Sequence, residues 1–194
     1  MVRTTAPTAP GELALVEAFV NTSYGQGQHA HRALTTPAEL RTWLHEHGLA
    51  AADAPVTEGD LRRAVALRES LRALLQAHTH AETPAASTLE HLNQLAGDAP
   101  LTVRFQNDGE ARLVPDIGGV DGAFARLLSI ALRAMLDGSW RRLKACSNPP
   151  CARAFYDGSK NASGKWCAMA SCGNRLNARA YRRRRQIAPV PSVS

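Results

Sequence analysis

Aromatic residues are scarce in this sequence of 194 residues: they make up 5%, against an apolar share of 44%. The chain also lacks any run near the roughly 20 apolar residues that a membrane span needs. Its N-terminus has no apolar segment behind a basic start, so no secretory signal is expected. The apolar share is in the range of globular proteins, which excludes a wholly disordered chain. The glycines do not recur at every third position, which excludes a collagen-like chain. We therefore expect a cytoplasmic protein with a sizeable core and no membrane segment.

Acidic side chains are nearly absent from the C-terminal part of the chain. Residues 141–194 carry 12 Lys and Arg but a single acid, Asp157, whereas residues 1–140 carry 11 basic and 16 acidic side chains. All four cysteines lie in the basic part and all seven histidines in the acidic part. An acidic region repels a polyanion and a basic region attracts one. The asymmetry predicts an N-terminal domain over 1–138, a second module over 139–187 and a flexible tail over 188–194.

Apolar residues at helical spacing predict that most of the first domain is helical. The Thr36–Glu39 and Thr57–Asp60 pairs are typical of helix starts. Alternating residues on either side of Asn107-Asp108-Gly109 predict one small β-hairpin, and 24–33 is expected to be a loop. The expected helices run from Glu12 to Val20, from Pro37 to Gly48, from Thr57 to His78, from Ser87 to Gly97 and from Asp121 to Gly138.

The cysteines form two pairs of equal spacing, Cys146-x4-Cys151 and Cys167-x4-Cys172, with fifteen residues between the pairs. Four thiolates on two short loops satisfy tetrahedral Zn²⁺ and leave no position for a catalytic water. Two disulfides or four unrelated buried thiols are the alternatives, and a reducing compartment disfavours the first. A redox role lacks a Cys-x-x-Cys motif. The spacing predicts one structural zinc ion per chain, which the segment needs in order to fold.

A hairpin and a helix are expected around the metal. Residues 152–156 can form one strand, with the return near Trp166, so that a short hairpin spans the site. The predicted fold class is therefore mainly α (α+β): a helical N-terminal domain with one small β-hairpin, followed by a small four-cysteine zinc-binding module of a hairpin plus a helix.

The segment after the last cysteine predicts a basic helix. Asn174 is a good N-cap, and the residues behind it are strong helix formers. One face of this helix would carry four arginines, and two lysines in the hairpin turn would reach flanking phosphates. Such a stripe suits duplex DNA, although a charge run is usually a solvated face. The expected DNA contacts are Asn174, Arg175, Arg179, Arg182, Arg183, Lys160 and Lys165.

Five segments of the chain resemble a known bacterial family. The segments 145–157 and 166–175 resemble the CGNR zinc finger, named for the motif Cys172-Gly173-Asn174-Arg175. The segments 19–22, 43–44 and 67–69 resemble the ABATE domain that precedes this finger in stress-responsive transcription regulators. The resemblance implies that the four cysteines are zinc ligands and that Gly173, Asn174 and Arg175 begin a DNA-facing element. Gly164-Lys165 departs from the pair of basic residues expected before Trp166.

These observations together predict a DNA-binding transcription regulator whose first domain is a sensor or a dimerisation scaffold. Asn21, Arg68 and Glu69 could line a pocket for a small-molecule effector. The alternative is that Asn21 caps the first helix and that Arg68 and Glu69 face solvent. A single finger reads few base pairs, which favours a homodimer or a larger complex with a partner. The competing function is a protein-interaction adaptor that does not contact DNA. No enzyme is expected, because no nucleophile motif, phosphate loop or paired carboxylates occur.

Overall fold

The computed structural model describes residues 6–26, 31–176 and 178. Five α-helices are found within the described part of the chain: α1 (Leu13–Val20), α2 (Pro37–Glu46), α3 (Glu58–His80), α4 (Ala86–Gly97) and α5 (Gly119–Asp137). Six short strands form three antiparallel pairs within the same part: β1 (Ser23–Tyr24) with β2 (His31–Arg32), β3 (Leu101–Phe105) with β4 (Ala111–Pro115), and β5 (Leu143–Ala145) with β6 (Ala154–Tyr156). The mainly helical fold class is confirmed. None of these helices has the combination of length and apolar character that crossing a bilayer demands.

Helices α2 and α3 begin as their sequences predict. The hydroxyls of Thr36 and Thr57 accept hydrogen bonds from the backbone N–H groups of Glu39 and Asp60, whose carboxylates accept in return. Each capping box satisfies donors that the first helical turn leaves unpaired. Helix α4 begins earlier than predicted, with Ala85 rather than Ser87 as its N-cap. Ala86 is a strong helix former, so the helix extends through it toward the N-terminus.

The core lies where α1, α3 and α5 meet. Most of its largest fully buried side chains come from these helices and from α2, and Leu143 of β5 adds another. The packing of α1 against α3 and α5 removes this apolar surface from water, which is the main favourable term in folding. Central members of the core are Phe19, Leu44, Leu67, Leu71, Leu75, Phe124 and Leu127.

Two of the strand pairs correct the sequence prediction. The β3–β4 hairpin is confirmed, with Leu101 opposite Pro115 and Phe105 opposite Ala111. The segment expected to be a loop contains the β1–β2 pair, in which Ser23 lies opposite Arg32. Strands of two residues are too short for an alternating pattern to reveal them.

The hairpin at the cysteines also differs from the prediction. Strand β6 pairs with β5, which precedes Cys146, and not with the chain near Trp166. The hairpin therefore encloses only the first cysteine pair. Leu143, Ala145 and Ala154 are fully buried members of the same core as α1, α3 and α5. This apolar burial, which competes with a pairing inside the cysteine segment, explains why β5 is the partner.

Candidate metal centre and basic surfaces

Short local structures deliver the four cysteines. Cys146 follows β5 directly, and Cys151 ends the turn that contains Pro149 and Pro150. Cys167 lies at a bend, and Cys172 lies in a π-helical turn over Met169–Gly173. Cys146 and Cys172 are buried, whereas Cys151 and Cys167 are half-buried.

The four sulfur atoms converge with the geometry of a metal site. All of them lie within 4.8 Å of one another. The Sγ atoms of Cys151 and Cys167 are 3.7 Å apart, and those of Cys167 and Cys172 are 3.9 Å apart. A tetrahedron with Zn–S bonds of about 2.3 Å has edges of about 3.8 Å. The cluster fits one zinc ion, and its free thiols match neither of the alternatives, paired disulfides and unrelated thiols.

The four cysteines can all be thiolates only if a cation lies among them. The side-chain hydrogen bond with Cys151 raises the pKa of the Cys146 thiol to about 12, and the same bond lowers the pKa of Cys151 to about 2. Sulfurs at these distances cannot all ionise without positive charge between them. Zinc bound here would supply that charge. The Asn148 side chain, 2% exposed, donates from Nδ2 to Cys172 Sγ at 3.4 Å, so the cluster has a neutral donor as well.

Two donors of the N-terminal domain bind backbone carbonyls in the loop of the first cysteine pair. The Gly25 N–H donates to the carbonyl of Cys151 at 2.8 Å, and Arg72 Nη1 donates to the carbonyl of Ala152 at 2.7 Å. Ala152 has a φ of 50°, a left-handed conformation that costs energy in any residue but glycine. These two donors stabilise the carbonyl positions that this strained turn produces.

Asn21 connects the first helix to the hairpin of the metal module. Its Nδ2 donates to the carbonyl of Ala154, and its Oδ1 accepts from the Ala154 N–H, both at 2.9 Å. The residue also stands at the C-cap of α1, as the alternative to the pocket prediction expected. Both polar atoms of the side chain are thus engaged within the protein. The sequence showed a polar residue beside an apolar stripe, but not this partner 133 positions away.

Arg68 and Arg72 are buried, each 6% exposed. The expectation that Arg68 faces solvent was wrong: it binds Glu69 at 2.8 Å and lines a cavity of about 270 Å³ with Arg32, Arg72 and Ala152. Burial opposes ionisation of Glu69, but its bonds with Arg68 and Arg72 prevail and lower its pKa. Arg72 also donates to the carbonyls of Val20 and Ser23. Sequence reasoning missed Arg72; its only signal was an arginine beside Leu71 in an apolar stripe.

The helix after the metal begins earlier than its sequence predicts. Asn174 has helical dihedrals and follows the π-helical turn directly, so it is not an N-cap. The π-helical turn begins after its N-cap Ala168 and brings Cys172 into the sulfur cluster. Asn174 and Arg175 are both exposed. The other expected DNA contacts on this helix, Arg179, Arg182 and Arg183, lie outside the described residues.

Lys160 and Lys165 lie on an exposed loop, 157–165, that a buried ion pair braces. Lys144 Nζ bonds Asp157 Oδ2 at 2.8 Å and donates to the carbonyls of Ala162 and Gly164. Burial would raise the pKa of Asp157, but hydrogen bonds from Lys144, Ser159 and Gly164 outweigh it and hold the pKa at about 2.

The structure explains why glycine, and not the expected basic residue, stands at position 164. A Cβ at this position would lie 2.8 to 3.0 Å from the Asp157 carboxylate, so the position has no room for a side chain. The absence of a basic residue at Gly164 therefore follows from the packing of the brace.

The fold and the site define a helical domain joined to a compact four-cysteine zinc module. Residues 13–140 match the model of the ABATE family, described as "Putative stress-induced transcription regulator", and residues 142–185 match the CGNR zinc finger. The chain belongs to the ABATE family and carries a CGNR zinc finger after the ABATE domain. The resemblance drawn from its motifs is confirmed, and its four cysteines can bind one zinc ion. No curated protein matches the chain.

Proposed function

We propose that this protein is a cytoplasmic, DNA-binding transcription regulator in which one zinc ion positions a basic helix against the phosphate backbone. The observation that carries the proposal is the convergence of four sulfurs directly before Asn174 and Arg175, in a region with 12 basic side chains and one acid. Four thiolates around Zn²⁺ carry a charge of about −2, so the module keeps a net charge near +9. That charge attracts a polyanion.

The exposed polar residues at the start of the helix after Cys172 support contact with DNA. Asn174 and Arg175 are exposed and follow the metal ligand Cys172 within three residues. Arginine binds phosphate and can pair with guanine through two hydrogen bonds. In this proposal Arg179, Arg182 and Arg183 continue the same face, and Lys160 and Lys165 contact neighbouring phosphates. Both matched families are regulatory or metal-binding rather than enzymatic, and we propose no catalytic role.

The first domain is proposed to sense a signal and to form a homodimer. Leu132, Met135 and Leu136 share one face of α5 and are 39%, 44% and 78% exposed. Such a face is apolar enough to pair two copies, and a dimer would double the base pairs that are read. The cavity beside Arg68 touches the zinc loop at Ala152, so a small molecule bound there would contact both modules.

A protein-interaction adaptor is the competing function. Met169 favours it, because this flexible apolar side chain is 59% exposed within the π-helical turn of the metal module. An adaptor would not need the basic excess, however. Binding to DNA separates the two functions.

Fluorescence anisotropy with a labelled duplex of about 20 base pairs tests the proposal on the zinc-loaded full chain. A regulator that neutralises about six phosphates should give a slope of about −5 in log affinity against log salt concentration. Replacing Arg175, Arg179 and Arg182 by alanine should leave one zinc ion bound and weaken binding at least tenfold. The matched control replaces the exposed arginines Arg62, Arg104 and Arg112 and removes the same charge. Equal affinities for the two triple variants would contradict the helix face, and failure to bind DNA at all would favour the adaptor.

A further inference from the structure

A second basic site lies away from the cysteine cluster. It is a cavity of about 690 Å³ between the end of α3, the turn after α5 and loop 157–165. This volume is within the range of pockets that hold small organic ligands. Four cationic side chains line it near solvent: Arg141, Arg142, Lys160 and Lys165. These come from two segments of chain, so the concentration of charge arises only in the folded protein.

The cations in this cavity have no anionic partner in the part of the chain that the structure describes. Its ion pairs include none with Arg141, Arg142, Lys160 or Lys165. The nearby Asp157 is 4% exposed and is neutralised by Lys144. Surface cations are commonly interspersed with acids, which limits their repulsion. The unopposed group here therefore favours an anion as its partner.

The loop that carries the two lysines is held in place before any ligand arrives. Arg142 Nη1 donates to the carbonyls of Asp157 and Ser159 at 2.9 and 2.7 Å, and Lys144 bonds the carbonyls of Ala162 and Gly164. The N–H groups of Ser159 and Gly164 donate to the Asp157 carboxylate at 3.0 and 2.7 Å. A braced loop loses little conformational freedom on binding, which favours affinity.

Arg141 lines the same cavity from the turn after α5. Its guanidinium lies over Gly138, where a Cβ would be 3.5 Å from Nη2. Gly138 ends α5 with a φ of 80°. The C-terminal carbonyls of a helix attract a cation, which helps to hold the guanidinium in this position.

We propose that this cavity is a binding site for phosphate groups, with Arg141, Lys160 and Lys165 supplying the positive charge and Arg142 and Lys144 holding the loop. The phosphate belongs either to a nucleic-acid backbone or to a free phosphorylated small molecule. The first source rests on the proposed function and gives the protein a DNA anchor separate from the helix after Cys172. The second source does not depend on DNA binding.

The test compares two double variants of the zinc-loaded full chain. Lys160→Gln with Lys165→Gln removes two cavity charges. The control, Arg104→Gln with Arg112→Gln, removes two charges from the exposed β3–β4 hairpin. The probes are inorganic pyrophosphate, measured by calorimetry, and the same labelled duplex, measured by anisotropy over a salt series. Zinc content and the melting temperature are measured for each protein.

A cavity that binds phosphate predicts at least a tenfold loss of pyrophosphate affinity in the cavity variant and less than a twofold change in the control. If the source is a nucleic acid, duplex affinity also falls at least fivefold and the salt slope becomes shallower by about 2. If only pyrophosphate binding is lost, the source is a small molecule. The proposal is overturned if neither probe distinguishes the cavity variant from the control. If the unmodified chain binds pyrophosphate but does not bind the duplex, the proposed function is contradicted and the phosphate site is not.

Discussion

The helical domain and the metal module are stabilised by different means. Large apolar side chains that are fully buried, such as Phe19, Phe124 and Leu67, fill the space between α1, α3 and α5. In the metal module the buried groups include Lys144, Asp157, Asn148 and two cysteine ligands. Apolar burial needs only close packing, whereas buried polar groups must each find a partner. We therefore expect the module to depend on a bound metal ion and on the side chains that the helical domain extends to it.

Loss of a zinc ligand should have the largest effect on the stability of the two regions. Cys167→Ser should abolish stoichiometric zinc binding and unfold the module, because structural zinc contributes about 10 kcal/mol or more to folding. Since Leu143, Ala145 and Ala154 belong to the common core, we expect the melting temperature of the helical domain to fall as well.

The control for this variant is Ser171→Ala, an exposed neighbour of a ligand that should retain zinc and its melting temperature. Calorimetry and zinc analysis measure both. An unchanged helical transition in Cys167→Ser would show that the two regions fold independently, as their charge asymmetry alone predicts.

Arg72→Ala should give the next largest effect. It leaves the carbonyls of Val20, Ser23 and Ala152 without this donor and Glu69 without one of its partners. A hydrogen bond from a charged donor is worth about 1.5–3 kcal/mol and three carbonyls lose one, so the free energy of unfolding should fall by about 3 kcal/mol or more. Denaturant unfolding should register this loss, and competition with a chelator should register weaker zinc binding.

Arg62→Ala is the matched control, because Arg62 is an exposed arginine on the same helix. Its substitution should change the free energy of unfolding by less than about 0.5 kcal/mol. Equal costs for the two variants would contradict the role of Arg72 as a link between the regions.

A smaller effect is expected for Asn21→Ala. The Ala154 N–H and carbonyl are fully buried and would lose both partners, at a cost of about 1–3 kcal/mol. Asn93→Ala changes an exposed amide on α4 and should be nearly neutral. Chemical denaturation compares the two, and a neutral Asn21→Ala would remove one of the proposed links.

Alanine substitutions at two glycines should change stability in opposite directions. Gly164→Ala forces a Cβ against the Asp157 carboxylate and should destabilise the module by about 1–3 kcal/mol. Gly97→Ala meets no atom within 4 Å and should stabilise α4 by about 0.4–1 kcal/mol. Thermal unfolding measures both, and equal signs would contradict the close packing of the loop brace.

Local patterns predicted those parts of the molecule that local interactions determine. The capping boxes of α2 and α3, the β3–β4 hairpin and the pairing of cysteines each depend on residues a few positions apart. The pairing of β5 with β6 depends on the core of α1 and α3, and the partners of Asn21 and Arg72 lie 133 and 80 residues away. Such contacts have no period in the sequence. The same holds for the basic cavity, which joins Arg141 to Lys160 and Lys165 only through the folded loop.

We infer that one zinc ion bound by four sulfurs organises the C-terminal module. X-ray absorption at the zinc edge, on the purified full chain, measures this directly. We predict one ion per chain with four sulfur neighbours at about 2.3 Å. Nitrogen or oxygen atoms in the first coordination sphere, or a zinc content far below one per chain, would contradict the account.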